Sequence, residues 1–408
     1  MALQVSYMGT KRQLAPLVAE VVSQCPSGPL LDLFSGIGSV GAAVSDHRQI
    51  WNNDAQLFAN TVARSFFTSQ DLPPAIEELK QHALKPYQEN KAKLTARFNR
   101  RIAKERSLID AQDFDGLKLF YQESPHVAIS TRLENERKAL ALAPTTFPYR
   151  LFSITFAGGY LGIKQSVEVD SIRYAIDVMH AKKNITADEK TWSLVALCQA
   201  LSKCSTTTGH FAQFIKVKES NFKHFAKQRG RSIWDEWLAA FSTFQPFKDA
   251  SWRSANKVFR EDAETLVGRL DKRNSLPSVI YADPPYTADQ YSRYYHLYET
   301  ILQYDYPASS GIGRYRPDRF VSRFSLKTAV AEAFENLISN TARLGCELVL
   351  SYPENGLFEN TKENILSLLG KHFTQCEIAH EIQHKHSSMG GSQGKPKYQV
   401  NELIFYAR

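Results

Sequence analysis

Cysteine is scarce: the 408 residues hold five, Cys25, Cys198, Cys204, Cys346 and Cys376. No two are spaced as C-x-x-C and the number is odd. Neither a disulfide framework nor a structural zinc site is expected, and no metal is assigned. Long apolar runs are missing too. No stretch of about 18 apolar residues occurs, which excludes an ordinary membrane-spanning helix. The N-terminal segment MALQVSYMGTKRQL lacks an apolar signal core. The expectation is a soluble cytoplasmic protein. Internal repeats and long low-complexity stretches are absent as well, which excludes a repeat array.

What is there is a long, basic, aromatic-rich chain. Hydrophobic residues make up 43% and aromatic residues 12%, enough for a sizeable core. Core packing covers most of the aromatics; stacking on flat ligands is a further use. The net charge is +8 and the pI near 9.0, a balance that favours a polyanion such as nucleic acid. The length exceeds one ordinary domain and suits a catalytic domain with a second lobe.

Three zones differ in character. In the first, Leu30-Leu31-Asp32-Leu33-Phe34 is an apolar run that reads as a buried strand. Glycines follow, then the small-residue helix Ser39–Val44. A second short strand, Gln49–Asp54, ends on an acid. That is one β-α-β unit, the seed of a parallel sheet. Residues about 67–260 read as mostly helical. Lys80–Arg106 holds nine Lys/Arg against two Glu, and Lys216–Arg231 holds six against Glu219. Both are candidates for gripping phosphates, although a charge run is usually a solvated helix face. From about 262 the pattern returns to α/β. Ser278–Ala282 and Glu347–Tyr352 read as buried strands, and Cys376–Ile382 with Glu402–Tyr406 as a terminal antiparallel pair. The expected division is 1–66 (first half of an α/β core), 67–146 (basic helical insert), 147–204 (core-associated), 205–261 (second basic insert) and 262–408 (second half of the core).

Two motifs carry chemistry. Gly36-Ile37-Gly38-Ser39-Val40-Gly41 fits G-x-G-x-x-G between a strand and a helix, a turn that lets the backbone approach a nucleotide closely. Asp54, 13 residues beyond Gly41, is placed to hold ribose hydroxyls. The ligand so described is nucleotide-like; NAD and S-adenosylmethionine fit equally. The second motif is Asp283-Pro284-Pro285-Tyr286, directly after a strand. Its prolines fix the backbone and remove two N–H groups. The Asp283 carboxylate and the Pro284 carbonyl can accept the two hydrogens of an exocyclic amine, while Tyr286 stacks on the ring. That suits a flipped-out adenine.

Tyr7-Met8-Gly9-Thr10-Lys11, Asp32-Leu33-Phe34-Ser35-Gly36-Ile37-Gly38 and Asp283-Pro284-Pro285-Tyr286 occur in that order. The set resembles the Dam-type, alpha-group DNA adenine-N6 methyltransferases, over roughly residues 1–66 and 278–408. The resemblance implies a Rossmann-like class I methyltransferase sheet with an inserted, mainly helical target-recognition region. It implies S-adenosylmethionine as cofactor, bound by Tyr7, Lys11, Phe34, Gly36, Gly38, Asp54 and Asp283. It implies Asp283, Pro284 and Tyr286 as catalytic residues acting on N6 of adenine in double-stranded DNA at a specific sequence. The setting implied is restriction-modification or phage and plasmid defence. A cognate restriction endonuclease or defence proteins would be partners, and the enzyme a monomer or dimer.

The segment Asp289–His296 is aromatic and basic, as a pocket wall would be; His296 is read as structural, not as a general base. Gly311–Arg323, with four arginines, is expected to close over the DNA backbone, and Gly390–Lys397 less so. The alternatives are RNA adenine-N6 methylation, cytosine-N4 methylation, a non-catalytic DNA-binding module with a relic cofactor fold, and an NAD dehydrogenase. The last leaves Asp283–Tyr286 unexplained.

Overall fold

The structure, a computed structural model, describes residues 13–271, 273, 275–385 and 399–408. Seven strands form one sheet: β1 (Leu30–Asp32), β2 (Ile50–Asn53), β3 (Lys257–Phe259), β4 (Val279–Ala282), β5 (Glu347–Pro353), β6 (Cys376–Lys385) and β7 (Gln399–Ala407). Their order is β3-β2-β1-β4-β5-β7-β6. The first five run parallel; β7 lies antiparallel to both β5 and β6. This is a Rossmann-like sheet, as the β-α-β pattern predicts.

Side chains alternate across the strands and so separate two apolar layers. Leu30, Ile50 and Val279 point to one face, and Leu31, Trp51, Ile280 and Leu348 to the other; all are buried. The second face is covered by helices Ala263–Arg269, Val330–Leu344 and Thr361–His372. The first shares its core with the helical region, through Trp192, Ile154 and Ile176. A 35-residue helix, Ile76–Asp110, packs along Ile163–Ala181 there.

The edge strand β3 pairs with β2 in register Asn52↔Val258. It comes from residues assigned by sequence to the end of the second insert, 205–261. The sheet therefore takes in part of that segment. All five cysteines are free thiols, four of them buried. Among the described residues, no helix is long and apolar enough to cross a membrane.

Chain order and strand order together fix where a ligand fits. After β1 the chain moves outward to β2 on one side, while β4 adds on the other. Open parallel sheets bind ligands at such a reversal, beyond the carboxyl ends of the strands. The glycine turn follows β1 and Asp283-Pro284-Pro285-Tyr286 follows β4. Topology thus brings together two motifs about 245 residues apart in sequence.

Candidate active site

The turn after β1 is held by backbone bonds. Leu33 N–H donates to the Tyr281 carbonyl (2.9 Å), Ser35 N–H to Asn53 (2.9 Å) and Gly38 N–H to Ser35 (2.7 Å). Gly36 and Gly38 adopt φ of +50° and +77°, which a side chain disfavours. At Gly38 space also forbids one: a Cβ would lie 2.7 Å from the buried ring of Phe67. Asp54 locks the same turn from β2. Its carboxylate accepts the Gly36 N–H (3.1 Å) and the Gln56 N–H (2.9 Å). Burial pushes its pKa up to about 6, against the pull of those two bonds.

Asp283, Pro284, Pro285 and Tyr286 line the same cleft as Phe34, Gly36 and Asp54. The Tyr286 carbonyl accepts the Leu357 N–H at 2.9 Å, which fixes the end of the motif. Tyr291 lies beside Tyr286, side chain hydrogen-bonded to side chain. Gln290 straps the opposite rim: its amide oxygen accepts the Ser322 N–H (2.8 Å) and its amide nitrogen donates to the Ser322 carbonyl (3.3 Å). Ser292 Oγ donates to the Phe320 carbonyl at 2.6 Å. Phe320 and Phe34, which packs edge-on against Phe324 at 5.4 Å, give the cleft aromatic walls.

The charge of the cleft is one-sided. Asp32, Asp54, Glu261, Asp262 and Asp283 line it, and no Lys or Arg does among the described residues. Asp32 is 1% exposed, and its Oδ1 has no hydrogen-bond partner among the described residues. Burial, then the negative charge of Asp283, pushes its pKa up to about 8. Sequence reading singled out neither Asp32 nor Glu261 and Asp262. A carboxylate inside an apolar strand was the available signal for Asp32.

Of the seven expected cofactor residues, Phe34, Gly36, Gly38, Asp54 and Asp283 gather at this cleft or in the turn that forms it. Tyr7 and Lys11 lie outside the described residues, as does the Gly390–Lys397 loop. His296 is fully buried, with Nε2 3.0 Å from the Phe211 carbonyl; burial pushes its pKa down to about 3.

In the arginine-rich loop three arginines are held by partners within the chain. Arg314 is buried and donates to the Thr155 and Ala157 carbonyls. Arg316, 2% exposed, is held between Asp305 and Asp318. Arg323 bridges Glu264 and Glu332. These side chains anchor the loop inward, because burying a cation demands partners that solvent no longer supplies. In the basic stretches, Arg97 is likewise paired with Glu136, and Arg229 is buried on the Gly159 and Tyr160 carbonyls.

Residues 191–349 match the profile of the D12 class N6 adenine-specific DNA methyltransferases. The match takes in Asp283–Tyr286; the glycine turn, outside it, joins the same cleft by geometry. Similarity to curated relatives points the same way. The chain is 25% identical to modification methylase StsI of Streptococcus sanguinis over 98% of its own length and 51% of the relative's. It is 25% identical to type II methyltransferase M.FokI of Planomicrobium okeanokoites (90% and 47%), and 25% identical to type II methyltransferase M.CviAII of Paramecium bursaria Chlorella virus 1 (60% and 65%). The chain spans about half the length of the first two of these curated relatives.

Proposed function

We propose that this chain transfers a methyl group from S-adenosylmethionine to N6 of a flipped-out adenine in double-stranded DNA, at a specific sequence, as the modification enzyme of a restriction-modification or defence system. The observation that carries this reading is the shared cleft: the glycine turn and Asp283-Pro284-Pro285-Tyr286 at one topological switch point, lined by carboxylates and aromatic rings. The donor set suits a cationic, ring-bearing cofactor. Asp32 offers a buried oxygen without a partner. The Asp54 carboxylate has lone pairs beyond its two backbone bonds for ribose hydroxyls. When bound, S-adenosylmethionine supplies a methyl group already activated on a positively charged sulfur.

The chain's own part is to make a poor nucleophile adequate. The N6 lone pair of adenine is delocalised into the ring. The Asp283 carboxylate and Pro284 carbonyl accept its two N–H hydrogens and favour a pyramidal nitrogen. Tyr286 stacks on the base, a contact worth about 1–3 kcal/mol, which helps to offset flipping. Alignment of N6 in a closed cleft supplies much of the rate. Tyr7 and Lys11 join the cofactor set in this reading. The helical segments 67–146 and 205–256 form the target-recognition region. A cognate endonuclease is the expected partner, and the names of the relatives support a modification role.

The test is methyl transfer from labelled S-adenosylmethionine into mixed-sequence DNA, with the modified base mapped by sequencing. Asp283→Ala is expected to lose about a thousandfold or more in turnover, as when a transition-state hydrogen bond is removed. Its DNA affinity stays within about threefold, since phosphate contacts set most of that affinity. Near-normal turnover in Asp283→Ala would overturn the mechanism, and label appearing only in RNA would overturn the substrate.

A further inference from the structure

A second cavity, of about 510 Å³, lies in the helical region away from the methyl-transfer cleft. It forms where helix Phe114–Glu123, the segment 126–129, residues 214–217 and the loop 311–314 meet. Lys118, His126, Lys216 and Arg314 supply its polar wall, and Tyr121 and Phe214 its rings. No carboxylate lines it among the described residues. Ile129 and Ile312, also in the lining, are 61% and 68% exposed. Exposed isoleucines beside cations serve no folding purpose that the structure reveals.

The basic groups here crowd one another. Burial holds the Arg314 pKa down to about 10, and the positive charge of nearby Arg101 adds to the effect. His126 is pushed down to about 4 by burial, then by Arg314 and Arg101. One guanidinium nitrogen of Arg101 is buried without a hydrogen-bond partner. Glu105, whose charge acts on Arg101, also accepts from the Tyr121 hydroxyl and the Ile163 N–H. Basic groups lining a cavity that holds no carboxylate of its own are stabilised by an anion.

The cavity is also tied to the cleft. Arg314 lines one and Phe320 the other, six residues apart on one loop. Six extended residues span at most about 22 Å. That is about six base pairs of duplex at a 3.4 Å rise.

We propose that this cavity is a second nucleotide site, holding the phosphate and flat ring of one nucleotide, and that on bound DNA it takes a nucleotide within about six base pairs of the target adenine. The DNA part rests on the methyltransferase reading; the free-nucleotide part does not. Anion and ring together fit the lining: cations for the phosphate, and Tyr121, Phe214 and the two isoleucines for the ring. A volume of a few hundred cubic ångströms suits one small ligand.

The test uses the full chain and a double variant, Lys118→Ala with Lys216→Ala. Both lysines are exposed, so the variant should fold. In one arm, binding of a duplex is followed against salt. The expected result is about a tenfold weaker Kd, with a log–log salt slope shallower by about two. In the other arm, AMP and inorganic phosphate are titrated by calorimetry. AMP binding to the wild type, lost in the variant, would instead assign the site to a free nucleotide. Equal affinity for phosphate and AMP would overturn the nucleotide assignment. Unchanged DNA binding together with no AMP binding would overturn the site altogether. Failure of the wild type to bind DNA at all would count against the methyltransferase reading and leave the AMP arm standing.

Discussion

The two cavities are opposites in charge. The cleft at the end of β1 and β4 gathers five carboxylates and no Lys or Arg among the described residues; the cavity in the helical region gathers four basic side chains and no carboxylate. Both have aromatic walls. A net charge of +8 describes neither. The fold sorts charge by cavity: carboxylates beyond the carboxyl ends of central strands, basic side chains among helices. Neighbouring carboxylates raise the cost of every further negative charge in the cleft, which a cationic ligand relieves. Crowded cations do the reverse.

The largest effect expected from breaking this comparison is at the turn that shapes the acidic cleft. Gly38→Ala adds a Cβ about where the Phe67 ring sits, at a left-handed φ. The ring is fully buried, so the turn has to move instead. Overpacking of this kind costs about 1–3 kcal/mol. S-adenosylmethionine affinity, read by calorimetric titration, should fall about a hundredfold, equivalent to about 2.7 kcal/mol. Gly311→Ala is the control in the basic cavity. Its φ is also positive, but the added Cβ meets Tyr315 no closer than 3.5 Å. Cofactor affinity should stay unchanged there. Equal losses in the two variants would mean that the turn acts through global stability.

Sequence reading went furthest where local pattern and fold agree. Leu30–Asp32, Val279–Ala282 and Glu347–Pro353 are apolar runs bounded by turn residues, and they became central strands. The two motifs were legible because glycine and proline mark backbone geometry directly. β3 was missed, since Lys257–Phe259 is three residues long at a sheet edge with Lys257 exposed, too short for any period. The intrachain partners of the arginine loop were not legible, because a charge in a sequence has no direction. Arg316 turned inward to two aspartates that the sequence could not pair with it. The basic cavity was legible only in pieces, Lys216–Arg231 and Gly311–Arg323, because its walls come from segments about a hundred residues apart. Asp32 was visible but ambiguous: one acid closing a strand looks the same whether it faces water or a ligand.

Salt sharpens the comparison next. Phosphate contacts release counterions, so DNA affinity should fall tenfold or more between about 50 and 200 mM salt. In the proposed reading the cofactor lies in a cleft lined by partly buried carboxylates, where mobile ions screen less than at an open surface. Its Kd should change less than about threefold over the same range. Fluorescence titrations of each ligand at four salt concentrations would check this. A cofactor affinity as steep in salt as that of DNA would mean that the cleft is open to ions.

The smallest effect concerns the proton on Asp32. Its pKa rises from the ordinary 3.8 to about 8 in the folded chain, through burial and the nearby Asp283. Between those values the folded state holds a proton that the unfolded state has released, so stability falls as pH rises. The contribution is present in full below 3.8 and lost as pH climbs through about 8. Asp32→Asn cannot ionise and should not show that fall. Without ligand, its melting temperature should exceed that of the wild type by about 3 °C at pH 8.5, with the gap narrowing towards pH 5. Scanning calorimetry over that range measures the gap directly. Parallel curves would show Asp32 ionised at no cost, which burial beside Asp283 should not permit.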